Sequence, residues 1–107
     1  MNKEEYFKFQ EEYFNKIKEL TKTKNADYSG EGTNPFKNFE HVGTYDPSWV
    51  LIGFITRMSD KFARIASFIQ KGKLEVKNES VIDSLMDLSN YACLMAGYIE
   101  HVQGGRE

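Results

Sequence analysis

The chain has 107 residues, with 14 Lys plus Arg against 16 Asp plus Glu and a formal net charge of -2. That length describes one domain, residues 1–107, and the acidic balance argues against a protein that coats DNA or RNA. A single cysteine, Cys93, excludes an internal disulfide and a Cys-rich zinc site. The N-terminus runs straight into charged residues, and no apolar run nears the roughly 20 residues that span a bilayer. The expectation is a cytoplasmic protein without a membrane anchor.

The first predicted helix covers residues 3–24. Tyr6, Phe9, Tyr13, Ile17 and Leu20 recur at helical spacing, Phe14 borders them, and Lys8, Glu11, Glu12 and Lys18 fall on the other side. Asn2 followed by Glu5 has the spacing of a capping box. Residues 25–45 hold Gly30, Gly32, Gly43, Asn34 and Pro35 and are expected to form a long loop. Loops of that length in a compact domain are usually functional or disordered, and this one carries Tyr28, Phe36, Phe39 and Tyr45.

The second predicted helix covers residues 47–71. Asp46 is a natural N-cap, Pro47 suits the first helical position, and Gly72 ends the helix. Leu51, Phe54, Met58, Phe62, Ile65 and Ile69 form its apolar stripe. Leu74 and Val76 alternate with charges and suit a short extended link. The third predicted helix covers residues 79–102, capped by Asn78 and stopped by Gly104 and Gly105. Its main stripe is Val81, Leu85, Leu88, Ala92, Met95 and Ile99; a second stripe, Ile82, Met86 and Cys93, is offset by about a hundred degrees. Three helices of this size do not readily cover both. The second stripe is therefore expected to be buried in a subunit interface, or else under a fourth element, with Cys93 as a small buried hydrophobe. The fold expected is all-α: an antiparallel bundle of three main helices with a long loop between helices one and two, completed by homo-oligomerisation through helix three.

Two polar stripes accompany the apolar ones. Arg57, Asp60, Lys61 and Arg64 share a face of the second helix, and Glu79, Asp83 and Asp87, with Asn90, share a face of the third. Helices joined by a short link pack as antiparallel neighbours, so the stripes are expected to meet at the border of the core. One reading is an interhelical salt-bridge network. Another is a site, in which Glu79, Asp83 and Asp87 hold Mg²⁺ and Arg57, Lys61 and Arg64 clamp phosphate.

Three segments carry a resemblance: KNADYS at 24–29, RMSDKFARI at 57–65 and ESVIDSLMDLSNYA at 79–92. In this order and spacing they resemble the nucleotide modification associated domain 1 family, small proteins of phages and bacteria. More distantly they are similar to the all-α nucleotide pyrophosphohydrolases of the MazG type, which use carboxylates of two antiparallel helices to hold Mg²⁺ beside a nucleoside triphosphate. The resemblance implies a nucleotide or nucleotide-derived small molecule as ligand, in a bacterial or phage-encoded protein. Asn25, Asp27 and Asn38 are candidates to read base or ribose edges, and Tyr28, Phe36 or Phe39 to stack on a base. Three functions stay open: a Mg²⁺-dependent nucleotide pyrophosphohydrolase, a non-catalytic oligomeric binder that sequesters a nucleotide signal, and a structural helical interaction module. Nucleotide binding, extending to Mg²⁺-dependent hydrolysis, is the leading reading; binding without turnover is the alternative, because Asp60 stands alone among cations on helix two.

Overall fold

The computed structural model describes residues 1–29, 34–40, 46, 48–72 and 80–103, and the side chains at 24–29, 38 and 39 lie outside that description. Its helices are α1 (Lys3–Ser29), α2 (Lys37–Glu40), α3 (Ser48–Lys71) and α4 (Val81–Val102). Three of them are long and the described residues contain no strand. None of the described helices is long and apolar enough to cross a membrane.

Local chemistry sets the ends. At α1, Asn2 Oδ1 accepts from the Glu5 amide at 2.8 Å and Glu5 Oε1 accepts from the Asn2 amide at 3.0 Å, which is the reciprocal box expected from the spacing. The helix then runs five residues past the predicted end. Residues 25–29 include neither Gly nor Pro, so nothing in them stops a helix already propagating, and the expected loop loses its first quarter. A second part of it is also helical. Asn34 Oδ1 accepts from the Phe36 amide at 3.0 Å, and Asn34 Nδ2 donates to Glu40 Oε1 at 2.6 Å, which closes α2 into a single turn.

Asp46 starts α3: its Oδ1 accepts from the Ser48 amide at 3.0 Å and from Ser48 Oγ at 2.9 Å. Gly72 ends it with φ 75°, donating its N–H to the Phe68 carbonyl at 2.7 Å. That left-handed conformation is open to glycine at little steric cost. The N-cap of α4 is Ser80, not Asn78. Ser80 Oγ accepts from the Asp83 amide and Asp83 Oδ2 from the Ser80 amide, both at 3.1 Å. The Ser-x-x-Asp spacing satisfies two backbone donors at once. The proposed cap Asn78, the first residue Glu79 and the link through Leu74 and Val76 lie outside the described residues, as do Gly104 and Gly105.

Helices α3 and α4 form the main packing unit. They are antiparallel: Phe54 meets Tyr98 with ring centroids 6.1 Å apart, whereas Lys61, further along α3, meets Asp87, further back along α4. The core is small. Val50, Phe54 and Tyr98 form it, with Phe36, Leu51, Tyr91, Leu94 and Met95 packed around them. Phe36 lies edge-on to Tyr98 at 5.5 Å, so α2 caps one end of the core.

The stripes of α4 divide differently from the expectation. Ser84, Asp87, Tyr91 and Tyr98 sit at i, i+3, i+7 and i+14, on the side turned to α3. Met86, from the stripe assigned to a subunit interface, is buried in the chain, where Met86, Asp87 and Asn90 meet Ile17, Leu20 and Thr21 of α1. Met86 differs in this from Ile82 and Cys93 of the same stripe, which are exposed in the single chain. The reason is that α1 lies along this side and its middle turns, Ile17 above all, do the covering. The first third of α1 stands clear of the core. Its rings pack on one another (Tyr6 on Phe7, Phe9 on Tyr13, Tyr13 on Phe14) while Tyr6, Phe7, Phe9 and Phe14 remain exposed.

Candidate functional site

A cleft of about 410 Å³ opens between α1, α2 and α4. From α1 come Phe14, Ile17, Lys18, Thr21 and Lys22. These residues recur three, four and seven apart, so they form one continuous face. Pro35 and Phe36 close the cleft from the α2 side. Its other wall is the α4 ladder Ser89, Asn90, Cys93, Leu94 and Gly97, in which the side chains are short where Phe36 arrives. A methyl group built on Gly97 would lie 3.5 Å from Phe36 Cζ, so the ring rests directly on the glycine.

Hydrogen bonds fix the polar residues of the cleft. Thr21 Oγ1 lies 2.7 Å from Asn90 Oδ1 and 2.7 Å from the Ile17 carbonyl, so its hydroxyl proton is shared between them. With Oδ1 engaged by Thr21, the amide Nδ2 of Asn90 is the group that can donate to a ligand. Tyr13 and Ser89 hold their hydroxyls 2.9 Å apart one turn away. The walls are mostly apolar, and Lys18 and Lys22, both exposed, stand one turn apart on α1 beside it. Lys22 Nζ lies 3.7 Å from Glu19 in an exposed pair, which binds it weakly. Cys93, the chain's one thiol, is exposed on the cleft wall.

The candidate residues taken from the sequence separate into three groups. Phe36 lies in the cleft, edge-on to Tyr98 and tilted against the His101 ring 5.7 Å away. Asn25, Asp27 and Tyr28 fall in the last turns of α1, and Asn38 and Phe39 in α2, with side chains outside the described residues. Arg57, Lys61 and Arg64 line a face of α3 away from the cleft. Lys61 Nζ reaches Asp87 Oδ2 at 3.1 Å, with the two side chains only 14% and 22% exposed. The polar stripes of the two helices do meet, at this pair. Arg64 turns to Asp60 of its own helix at 3.5 Å.

Of the carboxylates considered for Mg²⁺, Glu79 lies outside the described residues, Asp83 closes the α4 capping box, and Asp87 faces Lys61. Among the described residues no three His, Cys, Asp or Glu side chains gather in a way that would hold a metal ion.

Phe14, Lys18, Thr21, Ser89 and Gly97 join the cleft without having been site candidates by sequence. The signal was present as two matched ladders: Phe14, Ile17 and Thr21 on α1 and Asn90, Cys93 and Gly97 on α4, each at i, i+3 and i+7. The large side chains of the first face the small ones of the second, which leaves room between them. No protein-family model, curated protein or solved structure matches the chain, so its reading rests on the geometry of this cleft.

Proposed function

We propose that the protein binds a nucleotide or nucleotide-derived small molecule, with the base in the α1–α2–α4 cleft and the phosphates toward Lys18 and Lys22. The observation that carries this reading is the cleft itself. Its volume, about 410 Å³, is that of a small-molecule site, its walls are apolar, and it holds few, well-fixed polar groups. Phe14 and Phe36 offer flat apolar surface to a planar ring, and stacking of a base on an aromatic side chain contributes about 1–3 kcal/mol. Asn90 offers its amide N–H to a ring nitrogen or carbonyl. The lysines supply positive charge to a phosphate as mobile point charges.

The commitments of the carboxylates favour binding without turnover. Asp83 holds the start of α4 and Asp87 holds α3 against it, so recruiting either to Mg²⁺ would cost structure. Hydrolysis is the second outcome of the same experiment.

The test uses Cys93 as a reporter. Ligand in the cleft is expected to slow its modification by a soluble thiol reagent and to raise the melting temperature by mass action. A panel of mono-, di- and triphosphates, cyclic dinucleotides and ADP-ribose derivatives, each with and without Mg²⁺, should give at least one hit on both readouts. Phe36→Ala and Asn90→Ala should remove it. A panel that protects nothing refutes the proposal, and pyrophosphate release in the Mg²⁺ arm would extend it to catalysis.

A further inference from the structure

We infer that the apolar face shared by α3 and α4 packs against the same face of a second copy of this chain, closing a four-helix bundle around a two-fold axis. On α3, Leu51, Ile55, Met58, Phe62, Ile65 and Ile69 are spaced 4-3-4-3-4. On α4, Leu85, Leu88, Ala92, Met95 and Ile99 are spaced 3-4-3-4. A 3-4 alternation is the repeat of 3.5 that seats knobs of one helix in holes of another.

The chain itself does not use these seams up. Val50, Phe54 and Lys61 meet α4, and Leu51 and Met95 of the seams pack against the same core, while Ile55, Phe62 and Ile69 are 51%, 57% and 75% exposed. On α4 Leu85 and Ala92 are exposed and their seam neighbours half-buried.

Both seams lie on one side of the hairpin. On each helix the seam follows the line that touches the other helix by about a quarter turn in the direction of rising residue number. Antiparallel helices seen from one end wind in opposite senses, so equal rotations away from their mutual contact carry both seams to the same side. The polar stripes and α1 are left on the opposite side.

The chemistry of the face selects its occupant. It holds no charged residue, which leaves nothing to select a charged partner and nothing that repels a copy of itself. The 3-4 repeat that matches the face is its own. A two-fold axis turns the face onto itself, which is how most homodimers form. Size agrees: two helices about 36 Å long and together about 20 Å wide give roughly 700 Å² per copy, close to the roughly 800 Å² of a standard interface.

Light scattering on a dilution series of the whole chain tests this. The expected mass at high concentration is twice that of the 12.4 kDa chain, and a larger oligomer would contradict the two-fold bundle. Phe62→Glu and Ala92→Arg, at exposed seam positions on different helices, should each yield monomer with unchanged far-UV dichroism. Phe7→Glu, which places a charge among the exposed rings of α1, should leave the mass unchanged. A wild-type chain that stays monomeric, or seam variants that keep the wild-type mass, would overturn the inference. Dissociation by Phe7→Glu alone would overturn it as well.

Discussion

Replacing Asp87 with alanine asks whether the meeting of the two polar stripes stabilises the fold. The Lys61 ammonium lies 3.1 Å from the Asp87 carboxylate and its side chain is 14% exposed, so it keeps little access to water once the carboxylate is gone. An exposed pair contributes about 0–1 kcal/mol, and removing one partner of a fully buried pair costs about 3–5 kcal/mol. At 14% and 22% exposure the expected loss is about 2 kcal/mol, or roughly 8–16 °C in melting temperature for a domain of this size. Thermal and urea unfolding at one fixed protein concentration measure it. The double variant Lys61→Met, Asp87→Leu removes both charges and keeps apolar volume, so it should recover at least half of the loss. The single-variant loss should also persist in molar salt, since partly buried charges are poorly screened. Losses under about 0.5 kcal/mol, or a strictly additive cycle, would refute the assignment of this pair as a structural clamp.

Ser84 is fully buried and its Oγ meets no hydrogen-bond partner among the described residues, so Ser84→Ala should be neutral or stabilising, by up to about 1 kcal/mol. A loss greater than that in chemical denaturation would show a partner for the hydroxyl. Phe54, with no exposed surface, anchors a three-residue core, and Phe54→Ala should cost about 3–5 kcal/mol and abolish a cooperative melt. Gly72 has φ 75° and open space around a would-be methyl, so the cost of Gly72→Ala is backbone strain alone, about 1–2 kcal/mol. Gly72→Asn should cost less, because asparagine tolerates this region, and equal melting temperatures for the two variants would contradict that.

The helices were readable from the sequence because their signals are local. The Asn2–Glu5 box, Asp46 and Gly72 act over three or four residues, and all three operate as their spacing implies. The α4 cap is ambiguous in the sequence because Asn78 and Ser80 are both competent residue types, and the reciprocal bonds between Ser80 and Asp83 identify Ser80. Burial was harder. The heptad stripe of α4 looked like its core face, yet the line turned to α3 passes through Ser84, Asp87 and Tyr91, residues that an apolar count discounts. Helix periodicity states that a face exists; which neighbour occupies it depends on where α1 lies, and nothing local to α4 encodes that. The candidate site was legible at Phe36 and, partly, at Asn90. The cleft arises where large residues of one ladder oppose small ones of another, a relation between elements far apart in sequence.

The way α1 is held has a consequence for motion. Its contacts with α4 are concentrated at Tyr13, Ile17 and Thr21, whereas α3 and α4 join along most of their length. Proteins open in cooperative units, and the unit with the fewest buried contacts opens at the lowest free energy. The amides of α1 should therefore exchange with deuterium well before those of the hairpin, in a subglobal event that leaves α3 and α4 paired. A molecule lodged between Phe14 and Phe36 would join the loosely held helix to the rigid pair, and its binding would be written in the protection of α1.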